Sequence, residues 1–291
     1  MSEKQTNQNV GRESEPSPDK ETKFHQYRGI GILLLCAVLV MGGIYSFGGI
    51  TLQTAGSSRV GSRELPIYCV DTPKNQVALS FDAAWGNEDT QEILDILAKH
   101  NVHVTFFMTG GWVDSFPDDV KRIAAAGHDL GNHSENHKNM SQLSDEQCKQ
   151  EIMKVHDKVK ALTGIEMQLF RPPYGDYDNH VIKDAYECGY FPVQWSVDSL
   201  DWKDYGVENI IQTVTQNKAL DKGAIILMHN GAKYTAQALD TIITGLQDKG
   251  YEIVPISQLV YTDKYHMDQA GKQISDGAQN GNSVDTKSSR Q

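Results

Sequence analysis

The sequence predicts a parallel α/β fold for residues 66–262, on two observations. Seven short apolar runs suited to buried strands alternate with six stretches of helical periodicity. Side chains capable of chemistry follow those runs at their carboxyl ends: Asp82 after the first, His133 and His137 after the third, Arg171 after the fourth, Asp198 and Asp201 after the fifth, His229 after the sixth. In a parallel β/α fold these ends share one face, so residues about 150 positions apart converge on one mouth.

The strand runs are Val77–Phe81, His103–Met108, His128–Gly131, Met167–Phe170, Phe191–Ser196, Ala224–Met228 and Glu252–Pro255. Between the first two, Ile93, Leu94, Ile96 and Leu97 form a helical stripe. A second helix begins at Ser115 and Pro117 and stops at Gly127, with proline suited to a first turn and glycine to a stop. Ser144-Asp145-Glu146-Gln147 reads as a capping box opening a long helix through Leu162, with Gly164 just beyond its end. Three more helices fit Val181–Cys188, Val207–Lys218 and Ala236–Asp248, with Gly189 and Gly250 close behind two of them. An open doubly wound sheet and a closed, irregular β/α barrel both satisfy this alternation. No GxGxxG follows the first strand, which weakens the dinucleotide-binding version.

The flanks differ from this domain. The chain has 291 residues and a formal charge of −11, yet no charged residue lies between Arg28 and Arg59. Within that gap Gly29 to Ile50 would extend roughly 33 Å as a helix, enough to cross a hydrocarbon core of about 30 Å. Lys20, Lys23 and Arg28 precede this run, so the positive-inside bias sets residues 1–28 in the cytoplasm and the domain outside. The competing reading is a cleaved signal with small residues at Thr54-Ala55-Gly56. Against it, the apolar run exceeds a signal core and a 28-residue polar leader precedes it. Residues 51–65 read as a stalk, and 1–28 and 263–291 as disordered tails with little to bury. Each tail is neutral, so the whole −11 falls in residues 51–262. This lacks the basic excess that a nucleic-acid partner requires. Cys69, Cys148 and Cys188 form no CxxC pair and read as buried small side chains rather than a disulfide framework or cysteine zinc site.

Taken singly, the polar residues are weak signals. His133 and His137 could be structural histidines, Asp82 a helix cap, Arg171 the partner of a surface acid, and Trp195 plain core. Their joint placement favours chemistry: two imidazoles suit Zn²⁺ or a similar divalent ion that a carboxylate completes. His229, ending an apolar strand, suits an acid or base tuned by a neighbouring carboxylate. Trp202, past a strand end, could form a wall for a sugar ring.

In order along the chain, Ser80-Phe81-Asp82, His133-Ser134-x-x-His137, Arg171-Pro172-Pro173-Tyr174-Gly175, Asp198-x-x-Asp201-Trp202 and Leu227-Met228-His229 resemble the polysaccharide deacetylase family, the NodB-homology or carbohydrate esterase family 4 group. The resemblance covers about residues 66–262 and implies a distorted (β/α)7–8 barrel that removes acetyl from N-acetylated sugars by hydrolysis. It implies a divalent metal, Zn or else Co or Ni, on His133 and His137. It further implies Asp82 as general base oriented by Arg171, and His229 as general acid tuned by Asp201. The Tyr174 backbone would stabilise the oxyanion, and Leu227 and Trp202 would line the acetyl pocket and sugar groove.

One position departs from the family pattern. The usual second aspartate of the first motif, a metal ligand, is Ala83 here, which leaves three readings: weaker metal binding completed by water, substitution by Glu88 or Asp89, or loss of catalysis. The Phe-Asp-x-x-Trp-Gly form resembles a branch associated with sporulation. The expectation is a membrane-anchored, extracytoplasmic deacetylase of cell-wall glycan, with peptidoglycan amino sugars as substrate. The alternative is a catalytically impaired glycan-binding wall protein. A phosphate-handling enzyme is disfavoured because no phosphate-cradling glycine loop is present.

Overall fold

The computed structural model describes residues 56–279. The expected tail at 1–28, the expected membrane segment at 29–50 and residues 280–291 lie outside the described residues. Among the described residues no helix is long and apolar enough to cross a membrane.

The described chain opens with β1 (Arg59–Val60), β2 (Arg63–Glu64) and β3 (Cys69–Val70), then enters the long central strand β4 (Gln76–Ala83). Every residue of β4 is buried, and the period of two divides them. Val77, Leu79, Phe81 and Ala83 join the apolar layer under the helices, whereas Ala78 joins a second cluster. Ser80 and Asp82 share the parity of Ala78 and therefore its face, the interior of the curved sheet.

Next come α1 (Thr90–Lys99), β5 (Thr105–Met108), α2 (Gly110–Ser115), α3 (Pro117–Ala125) and β6 (Asp129–Asn132). The helix expected from Ser115 and Pro117 to Gly127 is α3, and the short α2 before it is an addition. Thr109 caps α2 by accepting from the Trp112 amide, and Pro117 occupies the first turn of α3. The long helix α4 (Asp145–Thr163) has the reciprocal Ser144–Gln147 capping box, and Gly164 ends it at φ 75°, a left-handed conformation that costs glycine little. Then follow β7 (Leu169–Phe170), α5 (Asn179–Glu187), β8 (Phe191–Pro192), β9 (Val197–Asp198), α6 (Val207–Thr215), β10 (Ile225–His229), α7 (Thr235–Asp248), β11 (Glu252–Ile253) and α8 (Ile256–Leu259).

These strands form one eight-stranded sheet in the order β8-β7-β6-β5-β4-β10-β9, with β11 also pairing β4. All its pairings are parallel. β11 takes Gln76 and Val77 of β4, and β5 takes Ser80 to Ala83 on from there. Of the run expected as one strand, Phe191–Ser196, only Phe191 and Pro192 are strand, in β8 at one edge of the sheet, and β9 begins just past the run at the other edge. Only residues 193–196 separate β8 from β9, so those edges lie at most about 18 Å apart and the sheet must curl. Among the described residues no ladder joins β8 to β9. Ile67 bridges Val193 and Cys69 bridges Ala224, so the segment leading into β4 spans the gap. The barrel is therefore an incomplete, parallel half-barrel rather than a closed ring of eight.

Two expectations about the flanks are corrected. Residues 263–279 are not a disordered tail: β12 (Tyr265–Met267) pairs antiparallel with β13 (Lys272–Ser275), which runs parallel to β3. Only two apolar side chains anchor the hairpin, Tyr265 and Met267, both buried, and Gln273 exchanges hydrogen bonds with the Tyr261 backbone. Composition has too little signal to reveal so small an anchor. The expected stalk is likewise partly folded, since β1 and β2 pair and Ser57 bridges His266. Cys69, Cys148 and Cys188 are free thiols; Cys148 is buried as expected, whereas Cys69 and Cys188 are only half-buried.

Candidate active site

Asp82 leaves β4 on the interior face. Its Oδ1 accepts from Arg171 Nη1 at 2.6 Å, and the guanidinium is fully buried. Arg171 Nη2 also donates to Ser80 Oγ at 2.9 Å and to the Gln194 carbonyl at 3.2 Å, and the guanidinium lies 4.1 Å over the Phe107 ring. Burial alone would raise the Asp82 pKa. The charge of Arg171 above all, with its hydrogen bond, outweighs it and holds the carboxyl below the ordinary value, ionised at neutral pH. Pro172 and Pro173 stiffen the backbone past Arg171, and Tyr174 follows in the left-handed region at φ 60°.

His133 follows β6 and is buried. Its Nδ1–H donates to the Arg171 carbonyl at 2.7 Å, leaving a bare Nε2 that sits 3.4 Å from Asp82 Oδ2. Ser134 and His137 take positive φ of 65° and 53°, so the pair is carried by a tight turn rather than a helix. Ser134 Oγ accepts the His137 amide at 3.1 Å, and the two imidazole centroids lie 4.9 Å apart. Burial lowers both imidazole pKa values, that of His137 to about 4, so both are neutral at pH 7.

On the neighbouring strand, β10 sets His229 in register beside Asp82. His229 Nδ1–H donates to Asp201 Oδ1 at 2.7 Å; Asp201 Oδ2 accepts the His229 amide at 2.8 Å and the Thr235 hydroxyl at 2.6 Å. Burial alone would depress the His229 pKa, but the Asp201 hydrogen bond and charge raise it above the ordinary value. The Trp85 ring stacks on His229, with centroids 5.6 Å apart and planes at 18°.

These groups line a cleft of about 390 Å³. Of the residues singled out in the sequence, Asp82, His133, His137, Tyr174, Trp202, Leu227 and His229 line it, whereas Arg171 and Asp201 stand behind as orienting partners. Leu227 is buried beside Asp198 in register, and Tyr174 and Trp202 are exposed at the rim. Sequence reasoning placed Asp198 at this mouth without a role, read Trp195 as core and gave Trp85 no place; all three line the cleft. The signal for Trp85 was present, a large aromatic three residues after Asp82 and directly before Gly86.

The polysaccharide deacetylase family model matches residues 70–193. A peptidoglycan-N-acetylglucosamine deacetylase of Bacillus cereus is 37% identical over 203 residues, covering 68% of this chain and 73% of that one. The chain belongs to the polysaccharide deacetylase family. The Bacillus subtilis peptidoglycan-N-acetylmuramic acid deacetylase PdaA is 35% identical over 202 residues, covering 67% of this chain and 74% of its own. Among solved structures, a family 4 pseudoenzyme of Bacillus anthracis aligns at TM-score 0.65 with 36% identity, over 68% of this chain and 69% of that one. A mutant of that pseudoenzyme with restored enzymatic activity aligns at the same TM-score.

Against this polysaccharide deacetylase background, a divalent ion fits two of the donors. Both imidazoles are neutral, and His133 is fixed by its Nδ1 bond so that Nε2 is free to ligate. The third donor is missing. Ala83 is fully buried, belongs to the helix-side apolar layer and does not line the cleft. Glu88 and Asp89 do not replace it: neither lines the cleft, and Asp89 Oδ1 accepts from the Gly231 amide at 2.8 Å. Among the described residues, three His, Cys, Asp or Glu donors come within 4.8 Å of one another at one place only, outside this cleft.

Proposed function

We propose that this chain is a metal-assisted polysaccharide N-deacetylase acting on peptidoglycan amino sugars, held at the outer face of the membrane by residues 29–50. The observation that carries the reading is the side-by-side placement of two oriented groups in one cleft, Asp82 held by Arg171 and His229 held by Asp201. A divalent ion on His133 and His137 would polarise the amide carbonyl and acidify an attacking water. Asp82, ionised and already hydrogen-bonded on one oxygen, keeps Oδ2 to accept that water's proton. His229, whose protonated form Asp201 favours, donates from Nε2 to the departing amine. Leu227 meets the acetyl methyl, Trp85, Tyr174 and Trp202 pack against sugar rings, and the Tyr174 amide faces the developing oxyanion. The named activities of the Bacillus relatives support peptidoglycan as the substrate.

A second reading, a glycan-binding wall protein without catalysis, is favoured by Ala83 and by the similarity to a pseudoenzyme. Acetate release from peptidoglycan and chitooligosaccharides, with and without chelator and for His229→Ala, separates the two. Chelator-sensitive acetate release that His229→Ala abolishes is the expected result. No acetate from either substrate after zinc, cobalt or nickel reconstitution, with glycan binding intact, overturns the enzyme reading. For the location, the expected outcome is recovery in the membrane fraction with the domain open to external protease; recovery in the soluble cytoplasmic fraction refutes it.

A further inference from the structure

The seam between α4 and α5 carries side chains that the deacetylation leaves unused. His180, Asp184 and Cys188 recur every four residues along one face of α5 and its end, and Asp145, Cys148 and Lys149 come from the first turns of α4. One ligand atom each from Asp145, His180 and Asp184 lies within 4.8 Å of the other two. None of these residues lines the active-site cleft.

Two features point to a ligand between them. Asp184 is only 2% exposed; its Oδ1 meets Lys149 Nζ at 3.4 Å, and its Oδ2 is buried with no hydrogen-bond partner. Such a buried, unmatched acceptor is costly unless something neutralises it. His180 Nδ1 lies 2.6 Å from Asp178 Oδ1, while its Nε2 is buried and unpartnered. A carboxylate on Nδ1 selects the tautomer with a bare Nε2, which is how histidine ligands are oriented and made more basic.

We propose that Asp145, His180 and Asp184 form a second divalent-cation site, distinct from the His133–His137 pair, that ties α4 to α5. One imidazole and two carboxylates suit Zn²⁺ or a borderline neighbour such as Co²⁺ or Ni²⁺ better than Ca²⁺ or Mg²⁺, which take all-oxygen sets. Asp145, exposed at the start of α4, is the flexible ligand that closes the set. Lys149, already paired with Glu187, yields Asp184 to the ion while keeping that second partner.

The test is zinc binding, independent of catalysis. In the full chain carrying His133→Ala and His137→Ala, titration against a chromophoric chelator should show one bound equivalent and a raised thermal midpoint. Asp145→Asn should weaken that binding at least tenfold. Asp178→Asn keeps the cap on α5, because asparagine caps as well as aspartate, but removes the charge behind His180; it should weaken binding about 10–100-fold. In the chain without the two alanine changes, Asp145→Asn should remove one equivalent and leave any other. A folded double-alanine protein that binds no zinc overturns the proposal. So does zinc binding that neither Asp145→Asn nor Asp178→Asn alters, in either background.

Discussion

Replacing Asp201 by Asn isolates what its charge does to His229. Asp201 is fully buried and receives three hydrogen bonds, at 2.7, 2.8 and 2.6 Å from His229 Nδ1, the His229 amide and Thr235. Asparagine can keep its oxygen toward the latter two, which turns its NH₂ toward Nδ1. The imidazole must then accept at Nδ1, and the protonated ring loses its charged partner. A hydrogen bond to a charged group contributes about 1.5–3 kcal/mol, so the His229 pKa should fall by about 1–2 units. The donor form of the general acid is the protonated one, so activity is lost as pH rises through this pKa. The variant's descending limb should therefore lie about 1–2 units lower, with activity near pH 8 reduced roughly 10–100-fold. NMR titration of the His229 ring measures the pKa directly, whether or not the chain turns over, and acetate release against pH measures the limb. An unchanged His229 pKa in Asp201→Asn would refute the assignment of its elevation to Asp201.

Four further outcomes follow from the same geometry. Arg171→Met should strand the buried Asp82 charge and destabilise the domain by about 3–5 kcal/mol in urea melts; a loss below about 1 kcal/mol contradicts the buried pair. His128, buried with its Nδ1 accepting the Val104 amide at 3.2 Å, has its pKa lowered by burial and the nearby His103 charge to about 4, from an ordinary value near 6.5. Its neutral form is favoured by folding, so this stability is present above pH 6.5 and lost as pH falls to about 4, up to about 3 kcal/mol; equal stability of wild type and His128→Gln in their pH dependence would exclude it. Trp85→Ala removes the ring over His229 and should raise KM about 2–10-fold with little change in melting temperature, read by steady-state kinetics. Ala83→Asp puts a carboxylate at a fully buried position, so the metal-free protein should lose about 2–4 kcal/mol and recover it with zinc; a zinc response no larger than wild type places residue 83 out of reach of the metal.

Much of the fold was legible locally. The capping box at Ser144 and Gln147, the stop at Gly164 and the period-two burial of β4 are short-range patterns, each written within a few residues. The strand-end placement of Asp82, His133, Arg171 and His229 was legible for the same reason, since a parallel sheet turns position along a strand into position in space. What escaped was long-range. The early end of the fifth run reflects which edge β8 and then β9 find, and the hairpin β12–β13 survives on Tyr265, Met267 and pairing to β3, some 200 residues away in sequence.

The sequence by itself determined the alternation of strands and helices, the ordered motifs and the family they belong to. Only the tertiary structure decided that the barrel stays open, that Arg171 and Asp201 act from behind the cleft, and that Trp85 covers His229. It also decided that Ala83 has no carboxylate stand-in, because neither Glu88 nor Asp89 lines the cleft. The physical reason is one of range: propensity, caps and periodicity are set by neighbours along the chain, whereas pKa values, orphaned atoms and donor sets depend on which distant groups packing brings together.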